Sequence, residues 1–269
     1  MLLNKLSKTV FSAALLSAGL MASSSAMAEN VGGVVWDPSS LFDFTSNSQL
    51  IEDLLDPGLD GVFGTGDDVV SALNGFGKVT GLNGTFESTF CPSGCELTFE
   101  FGGYEVTSVV ASGTDTLLGF TGGWINFYVD SATAYDASDM STATDGGAPW
   151  LSLAAHETLS ATHGIMTSLN ATLSTFGAGV DAGVGAGLLD VVGGLAAANF
   201  DTDTQTDGAD WVFSSSFQPF GSATADGFEL FGTADFRGDS IEVPEPSSLA
   251  LLGLGMLGLG FGARRKTKK

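Results

Sequence analysis

The chain has 269 residues, is 43% apolar with 38 glycines and 20 phenylalanines, and carries a formal net charge of −22. A field of that sign excludes a nucleic-acid binder, which needs cationic side chains against phosphates. The apolar content excludes wholesale disorder, which requires low hydrophobicity as well as high charge.

In chain order, Lys5 and Lys8 precede an apolar stretch from Val10 to Ala22, and small residues follow at Ala26 and Ala28. A positive region, a short greasy core and an A-x-A ending make a secretory signal peptide, expected to be cut by signal peptidase after Ala28. The run is too short for a membrane span, which takes ~20 apolar residues. Residues 1–28 are thus predicted to leave, 29–242 to form the exported body and 243–269 to be a separate C-terminal segment. The body holds only two cations, Lys78 and Arg237, against thirty acids, a formal charge of −28. That field favours divalent cations and high solubility.

Within the body, "VVWDPSSLFDF" (34–44) reads as a strand broken by Asp37-Pro38. "SQLIEDLL" (48–55) reads as a short helix, capped by Ser48 with Leu50, Ile51, Leu54 and Leu55 on one side. The following glycine-rich stretch holds Asp56, Asp60, Asp67 and Asp68. Calcium takes six to eight hard oxygens from a chain that can curl around it, so these four are a candidate calcium loop. Aspartate and glycine also favour plain turns.

"GKVTGLNGTFESTF" (77–90) and "CELTFEFGGYEVTSVVAS" (95–112) read as strands flanking a tight turn, with Leu97, Phe99 and Phe101 alternating against Thr98 and Glu100. The turn, "CPSGC", holds the only cysteines, Cys91 and Cys95. An even count in an exported chain suggests a disulfide across the hairpin. Two lone thiols make a poor metal site.

"LLGFTGGWINFYVD" (117–130) is aromatic and β-branched. Between 151 and 199, alternation at Leu159, Ala161, His163 and Ile165, then Leu169, Ala171 and Leu173, favours two strands turning near Ser168–Asn170. His156 and His163 lie seven apart, against the four of a zinc-protease helix, and on a strand would face opposite sides. "DTDTQTDGAD" offers Asp201, Asp203, Asp207 and Asp210. Asp203, Asp207 and Asp210 are a weaker candidate calcium set, because Ser214 stands where an EF-hand loop needs its bidentate Glu. Strands at 211–220 and 226–238 close the body. The predicted fold is an all-β sandwich of mostly antiparallel strands, with an N-terminal signal helix and a C-terminal transmembrane helix.

No nucleophile elbow and no phosphate-cradling loop appears. Trp124, Trp150 and Trp211 would offer stacking faces to a polysaccharide if exposed, but the core is the expected place for tryptophan.

The chain ends "VPEPSSLALLGLGMLGLGFGARRKTKK". The prolines hold Glu245 in an extended segment. An uncharged run from Ser248 to Ala263 follows, then a basic tail from Arg264 and Arg265 onward. Positive charge stays cytoplasmic, so the body is placed outside and the tail inside. This order closely resembles the PEP-CTERM sorting signal of Gram-negative bacteria. The resemblance covers residues 243–269 and implies that a membrane exosortase recognises Pro244, Glu245 and Pro246 and removes the span. It further implies a chain exported across the inner membrane, transiently anchored there, and then placed at the cell surface or in the extracellular matrix with exopolysaccharide, in biofilm or floc formation. The expected role is non-catalytic. A lectin-like carbohydrate-binding module and a polysaccharide hydrolase are the alternatives.

Overall fold

Period-two alternation runs through most of the body, and it builds a closed wall instead of two layers. The computed structural model describes residues 28–40, 44–56, 69–130, 133–174, 182–219 and 227–243. Among them the strands are β1 (Glu29–Val31), β2 (Val34–Trp36), β3 (Phe44–Asp56), β4 (Val69–Leu82), β5 (Thr85–Phe86), β6 (Glu96–Ser112), β7 (Asp115–Asp130), β8 (Leu151–His156), β9 (Thr158–Leu159), β10 (Met166–Thr167), β11 (Leu169–Ser174), β12 (Ala182–Gly193), β13 (Trp211–Pro219) and β14 (Leu230–Gly238). Neighbours along the chain are neighbours in space: β3, β4, β6 and β7 pair in turn, as do β12, β13 and β14. β14 returns to pair with β3, Leu230 opposite Glu52 and Gly238 opposite Phe44.

One stave is made of two pieces. β11 pairs with the first half of β7 and of β12, while β8 pairs with their second halves. β8 and β11 are therefore collinear, and the eight staves close into an up-and-down antiparallel barrel. The sandwich expectation is corrected on this point. Sandwich and barrel share the same alternation, and closure decides between them by removing both sheet edges. Strand length accommodates it: β6 runs 17 residues and β7 16, and register shifts bend β4 at Leu73/Gly75, β6 at Val106/Ser108 and β12 at Val191/Gly193.

The predicted helix at 48–55 is part of β3. Leu50 and Leu54 point into the barrel, while Ile51 points out and is buried against Phe76, Ala143 and Phe228 beneath the segment carrying Tyr135 and Met140. Both faces are covered, so apolar residues fall next to one another and mimic a helical stripe. The transmembrane and signal helices, and Ala26, Pro244, Glu245, Pro246, Arg264 and Arg265, lie outside the described residues. None of the described helices is long and apolar enough to cross a membrane.

An eight-stranded barrel is just wide enough for side chains to fill it. Here aromatics do so. Trp36, Phe44, Trp150, Phe200 and Trp211 form one cluster, with Phe44 and Trp211 ring centres 4.8 Å apart. Phe127 carries contact from Trp211 to Phe236 and Phe99. Glycines make room for these rings: a Cβ on Gly77 would lie 2.4 Å from Phe99 Cζ and 2.0 Å from Gln49 O.

The hairpin β1–β2 plugs the end where β14 finishes. Trp150 Nε1 donates to Val31 O (2.8 Å), Trp36 Nε1 donates to Ser240 Oγ (2.9 Å), and Ile241 N donates to Asn199 O (2.8 Å). Ala28 and Val243 thus leave the barrel at the same end.

Candidate functional site

Of the two predicted calcium loops, the first lies mostly outside the described residues: Asp60, Asp67 and Asp68 are not among them, and Asp56 ends β3. In the second, the chain between the turn Ala197–Phe200 and β13 folds on Asp210. This buried carboxylate accepts from Thr202 N (2.6 Å) and Asp203 N (2.7 Å) with Oδ1, and from Val191 N (2.7 Å) with Oδ2. Asp203 sits in the left-handed region (φ 52°), where a short polar side chain is tolerated. The fold brings Asp201, Asp203 and Asp210 together, with carboxylate oxygens within 4.8 Å of one another. It does not bring Asp207 to them. Asp207, also left-handed (φ 63°), turns toward His156 Nε2 at 3.9 Å. Of the expected set Asp203, Asp207 and Asp210, the first and last are near each other, and Asp201 lies with them in place of Asp207. Asp210 already accepts three backbone N–H bonds, so the cluster is accounted for as a turn.

His156 projects from β8 and its Nδ1–H donates to both oxygens of Asp190 on β12 (2.9 Å). The expectation that His163 faces the opposite side of the same strand fails, because the chain has left the wall there. His163 lies over Gly119 and is hydrogen-bonded through Nδ1 to Ser108 Oγ (2.9 Å). The two histidines belong to different sites.

Between β8 and β11, residues 157–168 form an excursion on the outer wall, closed by the small hairpin β9–β10 with Leu159 opposite Met166. The predicted turn at Ser168–Asn170 is instead where the chain re-enters the wall, and the turn proper is at 160–165, where Ser160 N donates to Ile165 O (2.9 Å). Four contacts pin the excursion. Gly122 N donates to Glu157 Oε1 (3.4 Å), His163 meets Ser108, Ser168 Oγ donates to Gly122 O (2.6 Å), and Ser160 Oγ donates to Asn170 Oδ1 (3.0 Å). Beneath it runs a groove of about 320 Å³, lined by Leu117, Thr158, Ser160, His163, Asn170 and Thr172.

Of the candidate tryptophans, Trp150 and Trp211 are fully buried and belong to the core, as expected. Trp124 is 38% exposed on the outer face of β7. Its indole lies along Gly102 and Gly103, with Cδ1 and Nε1 3.1 Å from where a Cβ on Gly103 would be. Asn126 and Glu100 continue the same outward face, and Tyr128 donates its hydroxyl to Glu100.

A pair that the sequence reading missed lies at the other end of the barrel from the plug. Glu52 points inward from β3 and is buried with Glu229, whose Oε1 accepts from Leu54 N (3.0 Å). Glu52 Oε1 has no hydrogen-bond partner among the described residues. Burial, reinforced by the charge of Glu229, pushes the Glu52 carboxyl up to about 8. The signal was faint: an acid inside the run "LIEDLL" gives no hint of a partner so far along the chain.

Cys91 and Cys95 form the expected disulfide, with Cα atoms 5.1 Å apart. It closes the turn between β5 and β6. Beside it, Lys78 bridges Glu96 (2.5 Å) and Glu87 (3.0 Å).

A family model, the PEP-CTERM protein-sorting motif, matches residues 242–266. No curated protein and no solved structure matches the chain. The chain therefore carries a PEP-CTERM sorting motif directly after the barrel's last described residues, and the motif marks it as an exosortase-targeted, exported protein of the cell surface or extracellular space.

Proposed function

We propose that this protein is a non-catalytic component of the extracellular matrix, retained with exopolysaccharide after its C-terminal segment is processed. The observation that carries the reading is the sorting motif at 242–266, which follows the barrel's final strand with only a few residues between. In this reading signal peptidase cuts after Ala28. The run 248–263 then holds the chain in the inner membrane until the exosortase, reading Pro244, Glu245 and Pro246, removes it.

Three features support a structural over a catalytic role. Among the described residues the barrel interior is packed with aromatic and aliphatic side chains. The buried glutamates face each other inside that interior and not across an open groove, as glycosidase carboxylates must. The outer wall of β13 and β14 is polar, with Ser214, Ser216, Gln218, Thr233, Asp235 and Arg237 pointing out. A dense, closed, strongly acidic barrel suits long residence outside a cell, and its charge keeps copies apart in solution.

The test is the intact mass of the protein shed by its native host, compared with the membrane fraction, in the parent strain and in one lacking exopolysaccharide. The reading expects loss of residues 1–28 and of everything beyond the Pro-Glu-Pro region. It also expects protein in the matrix of the parent but free in the medium of the polysaccharide-deficient strain. Shed protein still ending in Lys269 overturns the processing. Equal distribution in both strains overturns the matrix role.

A further inference from the structure

We propose that the groove beneath the 157–168 excursion is a binding site for an uncharged glycan. The wall does not need the excursion, since β8 and β11 are collinear and already complete the stave between β7 and β12. What the detour adds is the groove, and the four pinning contacts hold it open in advance. A site ordered before binding avoids the entropy of ordering loops.

The lining selects the ligand class. At about 320 Å³ the groove lies at the lower end of the ~300–1,000 Å³ range of ligand sites. Such sites are usually mostly apolar, but this one is not. The hydroxyls of Thr158 and Thr172 and the His163 Nε2 line it beside the bonded Ser160–Asn170 pair, over a floor from Leu117. That pattern matches a sugar ring, which presents hydroxyls at its rim and C–H groups on its faces. The exposed Leu159 and Met166 at the hairpin rim extend the apolar contact.

Two features set a peptide aside. An extended peptide binds by adding to a free sheet edge; closure leaves the barrel wall none among the described residues, and the β9–β10 strands at the groove are only two residues long. A helical peptide needs an apolar groove.

Charge sets acidic sugars aside. The body's only cations are Lys78, occupied by Glu87 and Glu96, and Arg237, on β14. A uronate, sulfate or phosphate in this groove would meet no cation and would enter the field of a −28 body.

The assignment rests on the matrix reading only in that it names what the matrix would present. Its test is separate: affinity electrophoresis of the mature, shed protein through gels containing a neutral β-glucan, a neutral galactomannan, or alginate as the uronan. Retardation by at least one neutral glycan and none by alginate is expected. Thr172→Trp and Thr158→Trp, which fill the groove from the wall and from the excursion, should each weaken that retardation at least tenfold. Thr233→Trp, on the outer face of β14, should leave it unchanged. All three variants are first required to melt within a few degrees of the parent. No retardation by either neutral glycan, retardation by alginate alone, or equal retardation of parent and both groove variants overturns the proposal. Groove binding without matrix retention in the host would instead overturn the matrix role and leave the site standing.

Discussion

Glu52 and Glu229 share one buried compartment inside the barrel, the first from β3 and the second from the residue before β14, with Leu54 N–H donating to Glu229. Burial disfavours the ionised carboxylate, and the charge of Glu229 adds to that, so Glu52 holds its proton to about pH 8. The folded state binds that proton more tightly than the unfolded chain does. The contribution of Glu52 to stability is therefore complete below about pH 4.5, declines as pH rises, and is lost once pH passes about 8. Over that window the slope from this one group reaches up to ~1.4 kcal/mol per pH unit. Denaturant titrations between pH 5 and pH 9 should show Glu52→Gln losing less stability than the parent as pH rises. Parallel curves for the two would show that the pair does not control this dependence.

The Cys91–Cys95 disulfide closes a loop of five residues, and chain entropy assigns such a loop about 2 kcal/mol. Reduction under otherwise native conditions should lower the melting temperature by roughly 4–8 °C for a body of this size. The fold should survive, because closure of the wall does not pass through that turn. Loss of all cooperative melting on reduction would contradict this.

Gly77 and Gly113 predict opposite sensitivities. A Cβ on Gly77 would meet the Gln49 carbonyl at 2.0 Å, and a paired backbone cannot retreat. Gly77→Ala should cost at least ~3 kcal/mol, as overpacking against fixed atoms does. Gly113 has nothing within 4 Å and only its positive φ (68°) to defend, so Gly113→Ala should cost ~1 kcal/mol. Equal costs in denaturant unfolding would mean that the wall is looser at β4 than its packing implies.

Asp210→Ala removes the acceptor of three backbone N–H groups, from Thr202, Asp203 and Val191. Buried donors left unsatisfied cost ~1–3 kcal/mol each, less where water reaches them. A total loss of ~2–4 kcal/mol is expected, with faster amide exchange confined to residues near 191 and 201–210. Unchanged exchange in that segment would remove Asp210 from its role as anchor.

Among the four tryptophans, Trp124 is 38% exposed and Trp36, Trp150 and Trp211 are buried. Acrylamide should therefore quench only a minor part of the indole emission, and Trp124→Phe should remove that part. Persistent quenching in the variant would place a second indole at the surface.

The legibility of this fold in its sequence was uneven for identifiable reasons. The strands at 95–112, 117–130, 211–220 and 226–238 were visible because one face is core and the other is largely polar. β3 was misread because Ile51 is covered from outside by Phe76 and Phe228, and a strand buried on both faces loses its alternation. The choice of barrel over sandwich rests on β14 meeting β3 and on the two-piece stave, pairings between distant segments that leave no local mark. The alternation at 159–165 misled, because those residues all belong to the excursion and 160–165 form its turn. In the acidic loop, Asp203 and Asp210 were rightly joined. The left-handed turn at Asp207 sends that residue to His156, and such a turn is set by its surroundings as much as by its own side chain.

Because Val243 leaves the barrel at the plugged end, any pull on a C-terminal tether runs along the axis of β14. That strand is hydrogen-bonded to β13 on one flank and to β3 on the other over most of its length. Its bonds would have to fail together in shear, and they could not open one at a time like a zipper. A tether placed there would be mounted on the mechanically resistant direction of the barrel. Shear from flowing water, transmitted through a polymer held elsewhere on the wall, would load the fold where it is hardest to tear.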